Sequence, residues 1–90
     1  MAVERRSIVF HGRVQGVGFR YRAKYLASAL SLTGWVKNEY NGTVSMEVQG
    51  SPQMIDRLLV QINMGSYIQV EWIDSKKIPV IEERNFKVWY

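Results

Sequence analysis

Apolar residues recur along this chain with two different periods, and the alternation between them lays out the fold. From Ser7 to Val14 the pattern reads as a strand, closed by the glycine-bearing run Gln15-Gly16-Val17-Gly18. From Phe19 the apolar positions Phe19, Ala23, Leu26, Ala27 and Leu30 mark one face of a helix that ends near Ser31. Trp35–Asn38 and Val44–Val48 predict a hairpin about the turn dipeptide Asn41-Gly42, with Val44, Met46 and Val48 alternating against polar neighbours. Ser51-Pro52 reads as a helix opening, a hydroxyl N-cap with proline at the first helical position. Met54, Ile55, Leu58, Leu59 and Ile62 form the apolar face of that second helix, and Gly65 is expected as its C′ residue. Ile68, Val70 and Trp72 then alternate as a fourth strand, and Phe86, Val88 and Tyr90 as a short final one.

The order β-α-β-β-α-β, with an extra C-terminal strand, predicts a two-layer α+β sandwich: an antiparallel sheet with both helices on one face. This is the split β-α-β, ferredoxin-like arrangement, expected here as a single domain over residues 1–90. No linker, repeat or low-complexity stretch interrupts it. Such a fold hosts both enzymes and RNA-binding modules, so the activity must be argued from a site.

Composition narrows the chemistry. With no cysteine and one histidine, His11, disulfides, thiolate metal clusters, cysteine nucleophiles and multi-histidine metal sites are all excluded. The first six residues place no apolar stretch behind their charges, and no apolar run approaches the ~18 residues of a membrane span. A cytoplasmic protein is the expectation. The formal charge of +4 is uneven: residues 1–40 hold seven basic and two acidic side chains, whereas the remaining fifty hold five basic and six acidic. An anionic partner fits this first half, and so does a merely solvated basic face.

The segment Gly12-Arg13-Val14-Gln15-Gly16-Val17-Gly18-Phe19-Arg20 runs from a strand through a glycine turn into a helix. Successive N–H groups in such a turn can converge on an anion, and the helix N-terminus adds partial positive charge. It is neither a Walker A loop, lacking Gly-Lys-Ser/Thr, nor a dinucleotide fingerprint, because the spacing differs. Arg20 falls in the first helical turn, where a cation opposes the helix dipole unless an anion lies beside it. The spacing alone also fits a tight turn and a solvated arginine. Asn38, before the hairpin turn, is either a turn former or a carboxamide placed to hold a water. Trp35 and Trp72 read as packing residues, and His11 as structural.

Taken together, these segments resemble the acylphosphatase family. The likeness rests on Gly12, on Val14 to Arg20, on Leu30-Ser31-Leu32-Thr33-Gly34-Trp35-Val36-Lys37-Asn38, on Asn41-Gly42-Thr43-Val44 and on the closing Phe86-Lys87-Val88. It implies hydrolysis of the carboxyl–phosphate bond of acyl phosphates without a metal or other cofactor. The resemblance assigns catalysis to Arg20 and Asn38, and phosphate binding to Gln15, Gly16, Val17, Gly18, Phe19 and Arg20. It further implies a monomer whose partners are a small acyl phosphate and inorganic phosphate, with neither nucleic acid nor membrane. Three residues depart from the family pattern: Ala23 for a threonine, Ser31 for a helix-ending glycine, and Asn41 for an aspartate. A single-stranded RNA module on the same fold needs aromatics on its third strand, and Val44–Gln49 has none. An accessory domain for carbamoyl phosphate would come with cysteine-rich zinc modules, which this sequence lacks.

Overall fold

A computed structural model describes residues 2–65 and 67–90 of the chain. Its elements are β1 (Glu4–Arg13), α1 (Phe19–Ala29), β2 (Thr33–Asn38), β3 (Val44–Gly50), α2 (Pro52–Ile62), β4 (Gln69–Ile78) and β5 (Phe86–Trp89). The sheet order is β4-β1-β3-β2-β5. The first four strands pair antiparallel, as expected, while β5 lies parallel to β2, so the sheet is mixed. Register explains the core. Ile8 and Phe10 of β1, Val44, Met46 and Val48 of β3, Val36 of β2 and Phe86 of β5 point to one face. Phe19, Ala23, Leu26 and Ala27 of α1 and Ile55, Leu58 and Ile62 of α2 close over them. No described helix is long and apolar enough to cross a membrane.

The helix ends obey local rules that bear on the expectations. At α2, Ser51 Oγ accepts the Met54 N–H at 3.3 Å and Pro52 takes the first position, as the sequence indicates. Gly65 is not its left-handed C′ residue: the helix caps at Asn63, and Met64 and Gly65 donate back to Gln61 and Ile62 in tightened turns. A Cβ there would lie 2.9 Å from Ile68 Cδ1 and 3.0 Å from Arg22 Cδ, so those two side chains would have to shift to admit one. At α1, Ser31 adopts φ 58° as C′. Its N–H bonds Ser28 O and that of Leu32 bonds Ala27 O, which completes a Schellman motif on a residue poorly suited to it.

Four strands exceed their predicted lengths: β2 starts two residues earlier, at Thr33, β3 runs two further, to Gly50, and β1 and β4 are extended as well. β1 begins at Glu4, because Arg5 is buried on the helix-free face. Its guanidinium contacts Glu47 at 3.0 Å and Glu83 at 2.7 Å. Burial pulls the Arg5 guanidinium down, but the bonds it donates to Glu83 and Glu47 outweigh this and hold the group above its ordinary value. Through Glu83 it fastens the 79–85 connection, which runs between the two edge strands, β4 and β5. Gln49 secures that connection again, exchanging two bonds with the Ile81 main chain. β4 runs to Ile78 as a largely exposed edge whose Asp74, Lys76 and Lys77 discourage strand addition. Trp72 does not continue the inward alternation of Ile68 and Val70. A bulge between His11 and Gly12 pairs Gly12 with Val70 but His11 with Trp72, which turns the indole to the helix-free face. There it stacks on His11, with ring centroids 4.3 Å apart.

Candidate active site

Between β1 and α1 the chain makes the glycine turn expected from the sequence. Gly16 has φ 71° and Gly18 φ 78°, both left-handed, and a Cβ at either position would meet nothing within 4 Å. Glycine is required here for backbone conformation, and the resulting alternation of hand aims successive N–H groups to one side. Val14 and Phe19 are buried and Val17 packs against the core, so the turn hangs from three apolar anchors while both glycines stay exposed. Phe19 meets Phe10 edge to face at 4.8 Å. Gly18 caps α1 without a side-chain bond, and no acidic residue lies in the first turn. Among the described residues, no N–H of residues 15–20 donates to a protein acceptor.

Two side chains tether this turn, Gln15 to the β2–β3 hairpin and Arg20 to β5. The Gln15 side chain donates to Glu39 O at 2.7 Å and to Thr43 O at 2.8 Å, the carbonyls that flank the hairpin loop. Inside the loop, Asn41 Oδ1 accepts from Thr43 N at 3.1 Å and from Thr43 Oγ1 at 2.6 Å. This turn uses only an acceptor oxygen, so asparagine serves it as an aspartate would. On the other side, Arg20 Nη1 donates to Trp89 O at 3.1 Å, and its guanidinium carbon sits 5.1 Å from the Tyr90 ring centroid. Trp89 pairs with Lys37 in the parallel ladder, one residue short of Asn38. Arg20 and Asn38 are thereby drawn to the same corner of the sheet.

Asn38 ends β2 opposite Val44, on the helix-side parity of that strand. Its Oδ1 is buried and has no hydrogen-bond partner among the described residues. A turn-forming asparagine would spend that oxygen on its own backbone; Asn41 does so, and Asn38 does not. Ala23 is fully buried on the core side of α1, where a hydroxyl would need a partner. Among the described residues, no group of three or more His, Asp or Glu side chains is arranged to hold a metal ion.

Of the predicted site residues, Gln15, Gly16, Val17, Gly18, Phe19 and Arg20 stand in one turn, and Asn38 ends the strand that leads into the hairpin to which Gln15 ties that turn. Sequence reasoning missed the Trp89 carbonyl and the Tyr90 ring as partners of Arg20. A main-chain acceptor leaves no signature in residue type, and the alternation of β5 drew attention to Phe86 and Val88 instead. It also treated Gln15 as a donor of backbone N–H only, whereas its carboxamide is the tie between turn and hairpin.

The acylphosphatase family model matches residues 6–88 of the chain. An acylphosphatase of Clostridium acetobutylicum is 46% identical over 90 residues, covering 98% of this chain and 99% of that protein. Among solved structures, the acylphosphatase from Coxiella burnetii superposes with a TM-score of 0.89 at 31% identity, covering 97% of this chain and 93% of that one. The acylphosphatase from Bacillus subtilis gives 0.86 at 32% identity, covering 99% and 100%. These matches establish that the chain belongs to the acylphosphatase family, enzymes that hydrolyse acyl phosphates.

Proposed function

We propose that the chain, folded as one domain over residues 1–90, hydrolyses the carboxyl–phosphate bond without a metal and releases a carboxylate and inorganic phosphate. The observation that carries this reading is that a turn with uncommitted N–H donors at residues 15–20 is tied by Gln15 to the hairpin whose first strand ends on the buried, unpartnered Oδ1 of Asn38. The N–H groups and the Arg20 fork hold the phosphoryl oxygens; the glycine turn is thus the phosphate-binding loop. Asn38 Oδ1 accepts a hydrogen bond from water and lines it up opposite the leaving carboxylate. The water oxygen bonds to phosphorus, the bond from phosphorus to the acyl oxygen breaks, and the departing carboxylate keeps the electron pair. The water proton passes to a phosphoryl oxygen, since a carboxamide does not titrate usefully. An acyl phosphate is a mixed anhydride with a good leaving group, so charge stabilisation and alignment suffice. The same reading makes the protein a cytoplasmic monomer with no nucleic-acid or membrane partner.

The test is phosphate release from a small acyl phosphate with EDTA present. Wild-type turnover is expected to be unchanged by the chelator. Asn38→Ala is expected to lose about 100-fold or more in kcat while its affinity for inorganic phosphate stays within a few-fold, because Asn38 acts on the water. Loss of activity to EDTA, or equal losses of kcat and phosphate affinity, would overturn the assignment.

A further inference from the structure

The edge pair β2 and β5 carries a checkerboard of indoles and ammonium groups on the helix-free face. The parallel register sets Trp35 beside Lys87 and Lys37 beside Trp89. The two indoles lie on the diagonal and stack, with centroids 4.9 Å apart at 15°. Trp89 nevertheless keeps 46% of its surface exposed, and neither indole belongs to the core. Half-buried Trp35 and exposed Trp89, with cations interleaved, leave an aromatic face outside the core that a planar ligand can use.

Beside the pair, the end of the 79–85 connection encloses an open-sided cleft of about 580 Å³. That volume falls within the ~300–1,000 Å³ of small-molecule sites. Arg84, Asn85 and Lys87 line it together with Trp35 and Trp89. Arg84, Lys87 and the adjacent Lys37 make no ion pair among the described residues. Of the two carboxylates at the cleft, Glu83 is bound to Arg5 at 2.7 Å, which leaves Glu82 alone against the two lining cations, Arg84 and Lys87. The cleft includes neither Arg20, Asn38 nor any residue of the glycine turn, so the phosphoryl site does not account for it.

We propose that this cleft is a second ligand site, built for a planar aromatic ring that carries an anionic group, of the size of a nucleoside monophosphate. The ring stacks on the exposed indole face, and the Asn85 carboxamide offers a donor and an acceptor to the ring edge. The phosphate meets Lys87 and Arg84. Trp89 links the two sites, since its indole walls the cleft while its carbonyl holds Arg20.

The experiment is a titration of the full chain with adenosine 5′-monophosphate in saturating inorganic phosphate, followed through the indole Nε1–H resonances in ¹⁵N spectra. Saturable shifts of the Trp35 and Trp89 signals are expected with a Kd below about 1 mM. Trp72, on the opposite edge strand, should stay fixed and serves as the internal control. Adenosine should bind roughly tenfold more weakly for want of the anion, and ribose 5-phosphate should move neither indole. Lys87→Glu, a change at an exposed side chain without an ion pair, should cost about tenfold or more in affinity with the melting temperature kept. The proposal is overturned if the nucleotide moves no indole or all three alike, if phosphate displaces it, or if Lys87→Glu binds within about twofold of wild type.

Discussion

Gln15 offers the sharpest test of how the site is assembled, because its side chain touches neither proposed reacting group. In Gln15→Leu the side chain keeps its approximate volume and loses both donors, the bonds of 2.7 Å to Glu39 O and 2.8 Å to Thr43 O. Each such bond contributes a net of about 0.5–1.5 kcal/mol. Neither acceptor is orphaned by the change, since Glu39 O still receives Gly42 N–H and Thr43 O still receives Glu39 N–H. The large penalty for an unsatisfied buried carbonyl is thus avoided, and the expected loss is about 2 kcal/mol. For a domain of this size that lowers the melting temperature by roughly 10 °C.

The catalytic consequence has a different signature. The cradle's own N–H groups and Arg20 survive the substitution, so affinity for inorganic phosphate should change by no more than a few-fold. What loosens is the position of the turn relative to the hairpin that carries Asn38, and displacements near 1 Å commonly cost about 100-fold in rate. We therefore expect kcat to fall by about 10- to 100-fold in steady-state phosphate release, with thermal unfolding by circular dichroism run on the same samples. A variant that melts within about 2 °C of wild type would show that the two bonds do not tie the elements together. A fall in phosphate affinity as steep as the fall in kcat would place the Gln15 side chain in the cradle instead.

Three further outcomes follow from separate features. Inorganic phosphate at ~100 times its Kd should stabilise the wild type by about 2.7 kcal/mol at constant ionic strength, and Arg20→Ala should lose most of this thermal shift together with about 100- to 1,000-fold in kcat/KM; equal shifts in both proteins would reduce the glycine turn to a turn. Ser31→Gly should relieve the left-handed strain at the end of α1 and raise stability by about 0.5–1 kcal/mol in scanning calorimetry, since the ~1–2 kcal/mol of relief exceeds the added entropy of the unfolded glycine. The Glu4 carboxyl is held below its ordinary value of 4.5 chiefly by its bond from Arg6, against desolvation, with help from Lys77. Its contribution is complete above that ordinary value and is lost as pH falls through the lower folded one, so wild type should lose melting temperature on acidification below about pH 4.5 faster than Glu4→Gln does.

What could be read in the sequence was whatever depends on near neighbours. The apolar faces of both helices, the Ser51-Pro52 start and the Asn41-Gly42 turn are set within a few residues, and each stands in the structure. Arg5 shows the opposite case. It lies outside the strand expected from Ser7, yet it is buried because Glu47 and Glu83, 42 and 78 positions away, supply its partners. Trp72 was misdirected by one extra residue at a bulge, which no periodicity within β4 reveals. In the site, Gln15 to Arg20 and Asn38 were legible as residue types at a spacing. The Trp89 carbonyl was not, because an acceptor common to all residues acquires meaning only when a parallel strand delivers it.

That parallel strand explains how a cation comes to sit where the helix opposes it. Arg20 occupies the first turn of α1, with no acidic residue beside it and a dipole that disfavours positive charge by about 0.3–1 kcal/mol. The Trp89 carbonyl and the Tyr90 ring offset this at the guanidinium end and fix the direction of the side chain. Gln15 fixes the other end of the turn on carbonyls as well. Both tethers of the site thus terminate on the main chain, whose oxygen atoms survive substitution of the residues that carry them. A turn held in this way needs few particular side chains: two glycines to shape it, and a glutamine and an arginine to grip the backbone. Such economy is consistent with relatives that keep the fold at TM-scores of 0.86 and 0.89 while sharing only 32% and 31% of their residues with this chain.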